Sequence, residues 1–160
     1  MIERLVLSKR SKLADLVNFI DSKNDFDFYY TKDNTRTYIT DEYSLRNFLR
    51  ETVCNYVYKD QGTIKGIISV WPSIGGDIKR YYVKINADNP KIATDLFTIL
   101  TWNFNKELFI KIKKDSKFVE CAKYKGWRFC GGRGVQLLLQ RKANEYEYRA
   151  VQKESDLEDD

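Results

Sequence analysis

The periodicities along this chain predict an α+β fold: one mixed sheet of six to seven strands with about four helices. Three observations predict it. Residues 53–86 contain three alternating, β-branched and aromatic runs, "VCNYVYK", "TIKGIISVW" and "IKRYYVKIN", separated by Asp60-Gln61-Gly62 and Gly75-Gly76-Asp77, the punctuation of an antiparallel meander. After them the period changes to that of a helix, then to strand, helix and a closing pair of strands, so helices and strands alternate only in the second half. With 160 residues, 42% of them hydrophobic, there is material for one domain with a real core.

The elements follow in order. "IERLVL", residues 2–7, reads as a first strand, and Ser8 or Ser11 stands where it can cap a helix whose apolar face is Leu13, Leu16, Val17 and Ile20. Asp21 to Thr40 is rich in Asp, Asn, Thr and Tyr and has no clean period, which predicts loops with a short strand near "FDFYY" or "RTYIT". Thr40 or Asp41 caps a second helix with Leu45, Phe48, Leu49 and Thr52 as its buried stripe. Following the meander, Asp88 or Asn89 caps a third helix, and Pro90 occupies its first position, where a missing N–H costs nothing. Its core face is Ile92, Leu96, Ile99 and Leu100, widened by Phe97, Trp102 and Phe104. "ELFIKIKK" is the next strand. Asp115 or Ser116 caps a fourth helix through Phe118, Cys121 and Ala122, which Gly126 ends in a left-handed conformation.

Composition excludes several chemistries. The chain has no histidine, which removes the commonest general base and metal ligand and every Ser-His or Cys-His pair. Cys54, Cys121 and Cys130 form no C-x-x-C and are odd in number, so neither a zinc site nor a disulfide framework is expected, and a reducing, cytoplasmic compartment is. No apolar run has the length of a membrane span, and the first residues lack the pattern of a cleaved leader. Charge is divided. Of 28 basic and 23 acidic side chains, residues 142–160 hold three and seven, which leaves 25 and 16 in residues 1–141. A basic domain, 1–141, with a charged tail, 142–160, is the expected organisation, and the basic body favours anionic partners.

Gly131-Gly132-Arg133-Gly134 invites comparison with phosphate-binding loops. A dinucleotide fingerprint needs G-x-G-x-x-G between a strand and a helix, and a P-loop needs Gly-Lys-Ser/Thr. Here "VQLLLQ" follows, which is strand-like, so the glycines are expected to turn the chain between "WRFC" and "VQLLLQ".

This order, with "YKDQGTIKGIISVW", "RYYVKINADNPKIATDLFTILTW", "ELFIKIKKDSKFVECAKYKGWRF" and the closing hairpin, resembles the GNAT superfamily of N-acetyltransferases over residues 54–141 and back to residue 2. Its best local marker is "AKYKGWRF", which looks like the family's Y-x-K-x-G-F segment. The richness in Lys, Asn, Tyr and Ile is also similar to that of bacteriophage-encoded members. The resemblance implies acetyl-CoA in a V-shaped opening between the fourth and fifth strands, a bulged fourth strand pairing with the pantetheine arm, and helix-start amides on the pyrophosphate. It also implies direct attack of an amine on the thioester, with a carboxylate or water as base and a tyrosine protonating the thiolate. Carried onto this chain, Val83 and Ile85 would pair with pantetheine, amides near Ala93 and Thr94 with Lys91 would meet the pyrophosphate, and Asp60, Glu107 or Tyr124 would move protons. Two departures stand out. "NADNPKIATD" replaces the family's R/Q-x-x-G-x-G/A loop, with Asp88 and Asp95 opposing an anion, and Ala122 stands at the usual tyrosine position.

Two further function classes remain open on the sequence. One is a non-catalytic member of the fold, retained as a binding or virion structural protein. Its tail, where Tyr146, Ala150 and Leu157 keep helical spacing, would form an acidic helix that docks on a protein partner or on the basic body, unless it is a solvated terminus. The other is nucleic-acid binding through Lys79, Tyr81, Lys84, Lys111, Lys113 and Lys114.

Overall fold

The computed structural model describes residues 1–8, 13–23, 28–75, 78–134 and 136–142. The acidic helix expected in residues 143–160 lies outside the described residues, as do Ser11 and the turn at Gly76-Asp77. The chain forms β1 (Ile2–Arg4), α1 (Ala14–Ser22), β2 (Tyr29–Lys32), β3 (Thr35–Tyr38), α2 (Glu42–Glu51), β4 (Cys54–Asp60), β5 (Thr63–Gly75), β6 (Ile78–Ala87), α3 (Pro90–Asn103), β7 (Leu108–Lys113), α4 (Val119–Tyr124), β8 (Arg128–Arg133) and β9 (Gln136–Arg141). Seven strands make one mixed sheet in the order β1-β4-β5-β6-β7-β9-β8, and β2 with β3 form a separate two-stranded hairpin.

The meander β4-β5-β6 is antiparallel throughout, and β5 and β6 share ten paired positions in one unbroken register from Gly66↔Ala87 to Gly75↔Ile78. Gln61 and Gly62, both at positive φ (50° and 79°), make the two-residue connection whose twist suits a hairpin. The single parallel contact in the sheet is β6 with β7, through Tyr81↔Leu108 and Tyr82↔Phe109.

Strand alternation sends side chains to two cores. Tyr56, Ile68, Val83, Ile85 and Leu108 face one side, where α3 and α4 cover them. Val57 and Ile67 face the other, where Leu16, Ile20, Leu45 and Phe48 from α1 and α2 pack. On the α3 side, Gly66 permits close approach: a Cβ there would lie 2.9 Å from both Ile92 Cγ2 and Leu96 Cδ1. The helix therefore lies against β5 at a distance only glycine allows.

Several expectations are corrected. β1 ends at Arg4, short of Leu7. Ser8 does not cap α1: the helix starts at Ala14, with Leu13 at the cap position, and the Leu13 N–H donates to Glu42 Oε1 of α2 at 3.1 Å. The N–H of the cap residue thus finds its partner on a neighbouring helix, which local spacing does not reveal. α2 behaves as expected at its start, where Asp41 accepts from the Ser44 N–H at 2.8 Å in a reciprocal capping box, but Thr52 is its C-cap and not part of the buried stripe. Segment 29–38 forms a full hairpin where only one short strand was expected, because Asp33 and Asn34 both adopt positive φ. Trp102 does not widen the core and is half exposed. Asn89, not Asp88, caps α3, and α4 begins after Phe118 with no side-chain cap from Asp115 or Ser116. Gly126 has φ +94°, as a helix-ending glycine should. Of the closing glycines, Gly131 and Gly132 lie inside β8, next to a register shift between Phe129 and Gly131, and only Gly134 (φ +63°) belongs to the turn.

Gly66→Ala should destabilise the protein by about 1–3 kcal/mol, the usual cost of overpacking a tight contact. Urea unfolding checks this; an unchanged midpoint would mean that α3 is free to move away from β5.

Candidate functional site

β6 and β7 run side by side for two residues and then part. β6 stays zipped to β5, β7 stays zipped to β9 from Leu108↔Arg141 to Lys113↔Gln136, and a gap opens between them towards their C-terminal ends. The phase of β6 follows from one bond. The Asp88 N–H donates to Lys65 O at 2.9 Å, so Asp88, Asn86 and Lys84 turn their backbone groups to β5, while Val83 and Ile85 turn theirs towards β7. Beyond the last paired position that direction has no strand, leaving an open edge that can accept an extended chain of donors and acceptors. The bulge that the family resemblance implies for this strand is absent, because β6 keeps a single register with β5. Here the opening comes instead from the shortness of the parallel contact.

A cleft of about 600 Å³ occupies this gap, with walls from β6 and β7 (among them Val83, Ile85, Ile110 and Ile112) and a cover from the β2-β3 hairpin and Trp71. No carboxylate lines it among the described residues; Lys23, Arg36, Lys84, Lys111 and Lys113 do.

α3 begins at the wide end. Its Asn89 side chain accepts from the Ile92 N–H at 3.0 Å, and the Ala93 N–H donates to Asn89 O at 3.2 Å. The Thr94 hydroxyl donates to Pro90 O at 2.9 Å. Of the first-turn amides, that of Lys91 has no partner among the described residues, and its side chain is exposed. The carboxylate of Asp88 is ion-paired with Lys23 and lies 3.6 Å from Lys65 Nζ, while Lys117 Nζ donates to Asp88 O at 3.5 Å. Burial pushes the Asp88 carboxyl up, but the hydrogen bond and charge of Lys23, with those of Lys65, outweigh it and hold the group below its ordinary value. Asp88 is therefore neutralised locally, and lysines surround the helix start.

The architecture at this point is decisive: a parallel pair that splays, with a helix entering from the end of the first strand. It matches solved structures over nearly the whole chain. An acetyltransferase of the GNAT family from Streptococcus pneumoniae superposes with a TM-score of 0.66 at 12% identity, covering 90% of this chain and 100% of that one. This chain has the GNAT fold. The ribosomal-protein-alanine N-acetyltransferase from Brucella melitensis gives 0.60 at 15% identity over 90% and 99% of the two chains. The Campylobacter jejuni N-acetyltransferase PseH, in complex with acetyl coenzyme A, gives 0.58 at 13% over 90% and 100%. No family model matches the sequence, and no curated protein matches it.

Within the GNAT fold the residues singled out from sequence fall into two groups. Val83 and Ile85 stand on the cleft wall, whereas Lys91, Ala93 and Thr94 lie in the first turns of α3, outside the residues that line the cleft. Asp60, Glu107 and Tyr124 are not brought together, and none lines the cleft. Asp60 ends β4 at the hairpin turn, Glu107 precedes the paired stretch of β7, and Tyr124 ends α4 with 78% of its surface exposed. Ala122, at the family's tyrosine position, is fully buried, and its carbonyl accepts from the Trp127 N–H at 3.1 Å. The three described cysteines are free; burial pushes the Cys54 thiol up to about 11, against the pull of Arg4, so it serves the core. What sequence reasoning missed is the hairpin with Arg36, and Trp71, Lys23 and Lys117; only the aromatic-basic mixture of 28–38 hinted at the first.

The Asp88 cluster makes a pH prediction. A carboxyl held low in the fold adds stability above its unfolded pKa of about 3.9 and loses it as pH falls through the folded value. Wild type should exceed Asp88→Asn in stability near neutrality, and the difference should shrink below about pH 4. Unfolding curves across that range check it; a constant difference would exclude the linkage.

Proposed function

We propose that this protein is an acetyl-CoA-dependent N-acetyltransferase with a pyrophosphate site built from lysines instead of glycines. The observation that carries the reading is the edge of β6 left open from the Val83 carbonyl through Ile85, with α3 starting directly after the strand. The edge supplies backbone partners for a pantetheine arm. The Lys91 amide and side chain, with Lys117, supply positive charge for the pyrophosphate at a helix N-terminus. The Ala93 amide is committed to Asn89 O, and Thr94 lies within the helix with its hydroxyl on Pro90 O, so neither is free as the resemblance implied and contact there falls to Lys91. The likeness to the complex of PseH with acetyl coenzyme A supports the choice of co-substrate.

In the reaction, the acceptor's neutral amine forms an N–C bond to the thioester carbonyl, the C–S bond breaks, and the amine's proton leaves while the thiolate gains one. With no carboxylate among the described lining residues, water is the first acceptor of that proton, and Glu107, Asp60 or Tyr124 act only through it. Replacement by Gln, Asn and Phe respectively tests each one. A residue in proton transfer should lose about a hundredfold in kcat, and a spectator should stay near wild type.

The same absence of a carboxylate favours a second reading, a GNAT-fold protein that binds without catalysing. The likeness to bacteriophage-encoded or virion proteins rests on composition alone, and the structures named above come from bacteria. For nucleic acid, the basic residues divide. Tyr81, with Lys79 Nζ 5.4 Å from its ring centroid, packs on the α3 side, whereas Lys84, Lys111 and Lys113 line the cleft, so no single basic strip forms.

Isothermal titration with acetyl-CoA separates the two main readings. Wild type should bind in the micromolar range, and Lys91→Glu should weaken binding at least about tenfold, the loss of one charge-assisted contact. An acidic residue in the first turn favours the helix itself, so thermal stability should not fall. Absence of binding at millimolar acetyl-CoA would reject the transferase reading.

A further inference from the structure

The cations of the cleft are not gathered at the start of α3 alone. Tyr82 and Phe109 are the last paired residues of β6 and β7. Lys84 and Lys111 are each two positions further along, so they occupy equivalent places on the two diverging strands and project from the same sheet face, opposite to α3. Lys84 Nζ lies 3.6 Å from the centroid of the Tyr29 ring and donates to Tyr29 O at 3.1 Å. Arg36, from β3, places its guanidinium carbon 4.8 Å from the same ring centroid on the hairpin that covers the cleft. Lys111 Nζ sits 5.1 Å from the Tyr82 ring centroid. Among the described residues, Arg36 and Lys111 have no ion-pair partner. Three cations thus converge from three strands on a cleft that no described carboxylate lines.

Such an arrangement suits an anion. Aromatic rings hold the three head groups in place, which lowers the entropy lost when a ligand binds, and no ion pair among the described residues compensates the charge of Arg36 or Lys111. A free cationic amine would be repelled.

We propose that Arg36, Lys84 and Lys111 form an acceptor subsite that recognises an anionic group, so the acceptor is an amine that also carries a phosphate or carboxylate. The identity of the ligand as acceptor rests on the transferase reading above; the anion site itself does not. The subsite lies at the narrow end of the cleft, where the strands separate, whereas the lysines assigned to pyrophosphate surround the start of α3 at the wide end. One molecule at each end brings amine and thioester together between them.

The test is direct titration of the full chain with phosphoethanolamine, β-alanine and ethanolamine, which share an amine and differ in the anion. Phosphoethanolamine or β-alanine should bind at least ten times more tightly than ethanolamine, and whichever is tighter assigns phosphate or carboxylate. Arg36→Met and Lys111→Met should each reduce that preference several-fold. Lys114→Met, which removes the same charge outside the cleft lining, should leave it intact. Equal binding of the three amines, no binding of any, or an equal effect of Lys114→Met would overturn the proposal. So would a single-stranded oligonucleotide that binds more tightly than either anionic amine and is sensitive to the same two substitutions. Acetyl-CoA is titrated in parallel. Its failure to bind while the anion preference holds would sink the transferase reading and leave the subsite standing, and the opposite result would sink the subsite alone.

Discussion

Two parallel residue pairs, Tyr81 with Leu108 and Tyr82 with Phe109, hold the two halves of the sheet together, and the rest of the molecule depends on how little they hold. On one side β6 is fixed along its whole length to β5; on the other β7 is fixed to β9. Each half follows its own twist, so a join of two positions acts as a pivot from which the strands diverge. A longer parallel ladder would satisfy the β6 edge and close the cleft. The open edge survives because burial by α3 and α4 stabilises both halves independently of that ladder.

The helix that follows β6 is tied to this pivot. Pro90 and the Asn89 cap start α3 as soon as β6 ends, and Gly66 on β5 lets the helix settle at the depth where Ile92, Leu96 and Phe97 fill the space under the diverging strands. The edge of β6 and the start of α3 are consequently delivered to the same place by one chain segment. On the opposite face, Phe48 stacks on Trp71 (centroids 5.3 Å apart) and packs against Phe28 at 5.7 Å, which anchors the β2-β3 hairpin over the cleft. Arg36 and Tyr29 ride on that hairpin, so the second core positions half of the candidate acceptor site.

Electrostatics gives the cleft its direction. Asp88, one of the two acidic groups, with Asp95, expected to oppose an anion at the helix start, is neutralised by Lys23 and Lys65. That pairing keeps the loop folded and leaves Lys91 and Lys117 as the net charge at the wide end. At the narrow end Arg36 and Lys111 lie against aromatic rings, with no ion-pair partner among the described residues. The described lining of the cleft therefore favours anions, and its two ends differ in what holds the charge.

The sequence by itself determined the fold class, the meander and the helix-ending role of Gly126, and narrowed the caps of α2 and α3 to two neighbouring residues each, because each is a local event: an alternation, a hydrogen bond three residues away, a residue that tolerates positive φ. It also placed Val83 and Ile85 on the strand that opens, through likeness to a family pattern. Tertiary structure decided what depends on contacts between distant segments. The N–H of Leu13 at the start of α1 donates to Glu42, the charge of Asp88 is cancelled by Lys23 and Lys65, and Arg36 and Lys84 share the Tyr29 ring on a hairpin that local spacing left largely as loop. Asp60, Glu107 and Tyr124 show the same limit from the other side. A carboxylate or phenol can be read from one line of sequence, but whether it faces the cleft is set by the pivot between two strands 27 residues apart in register.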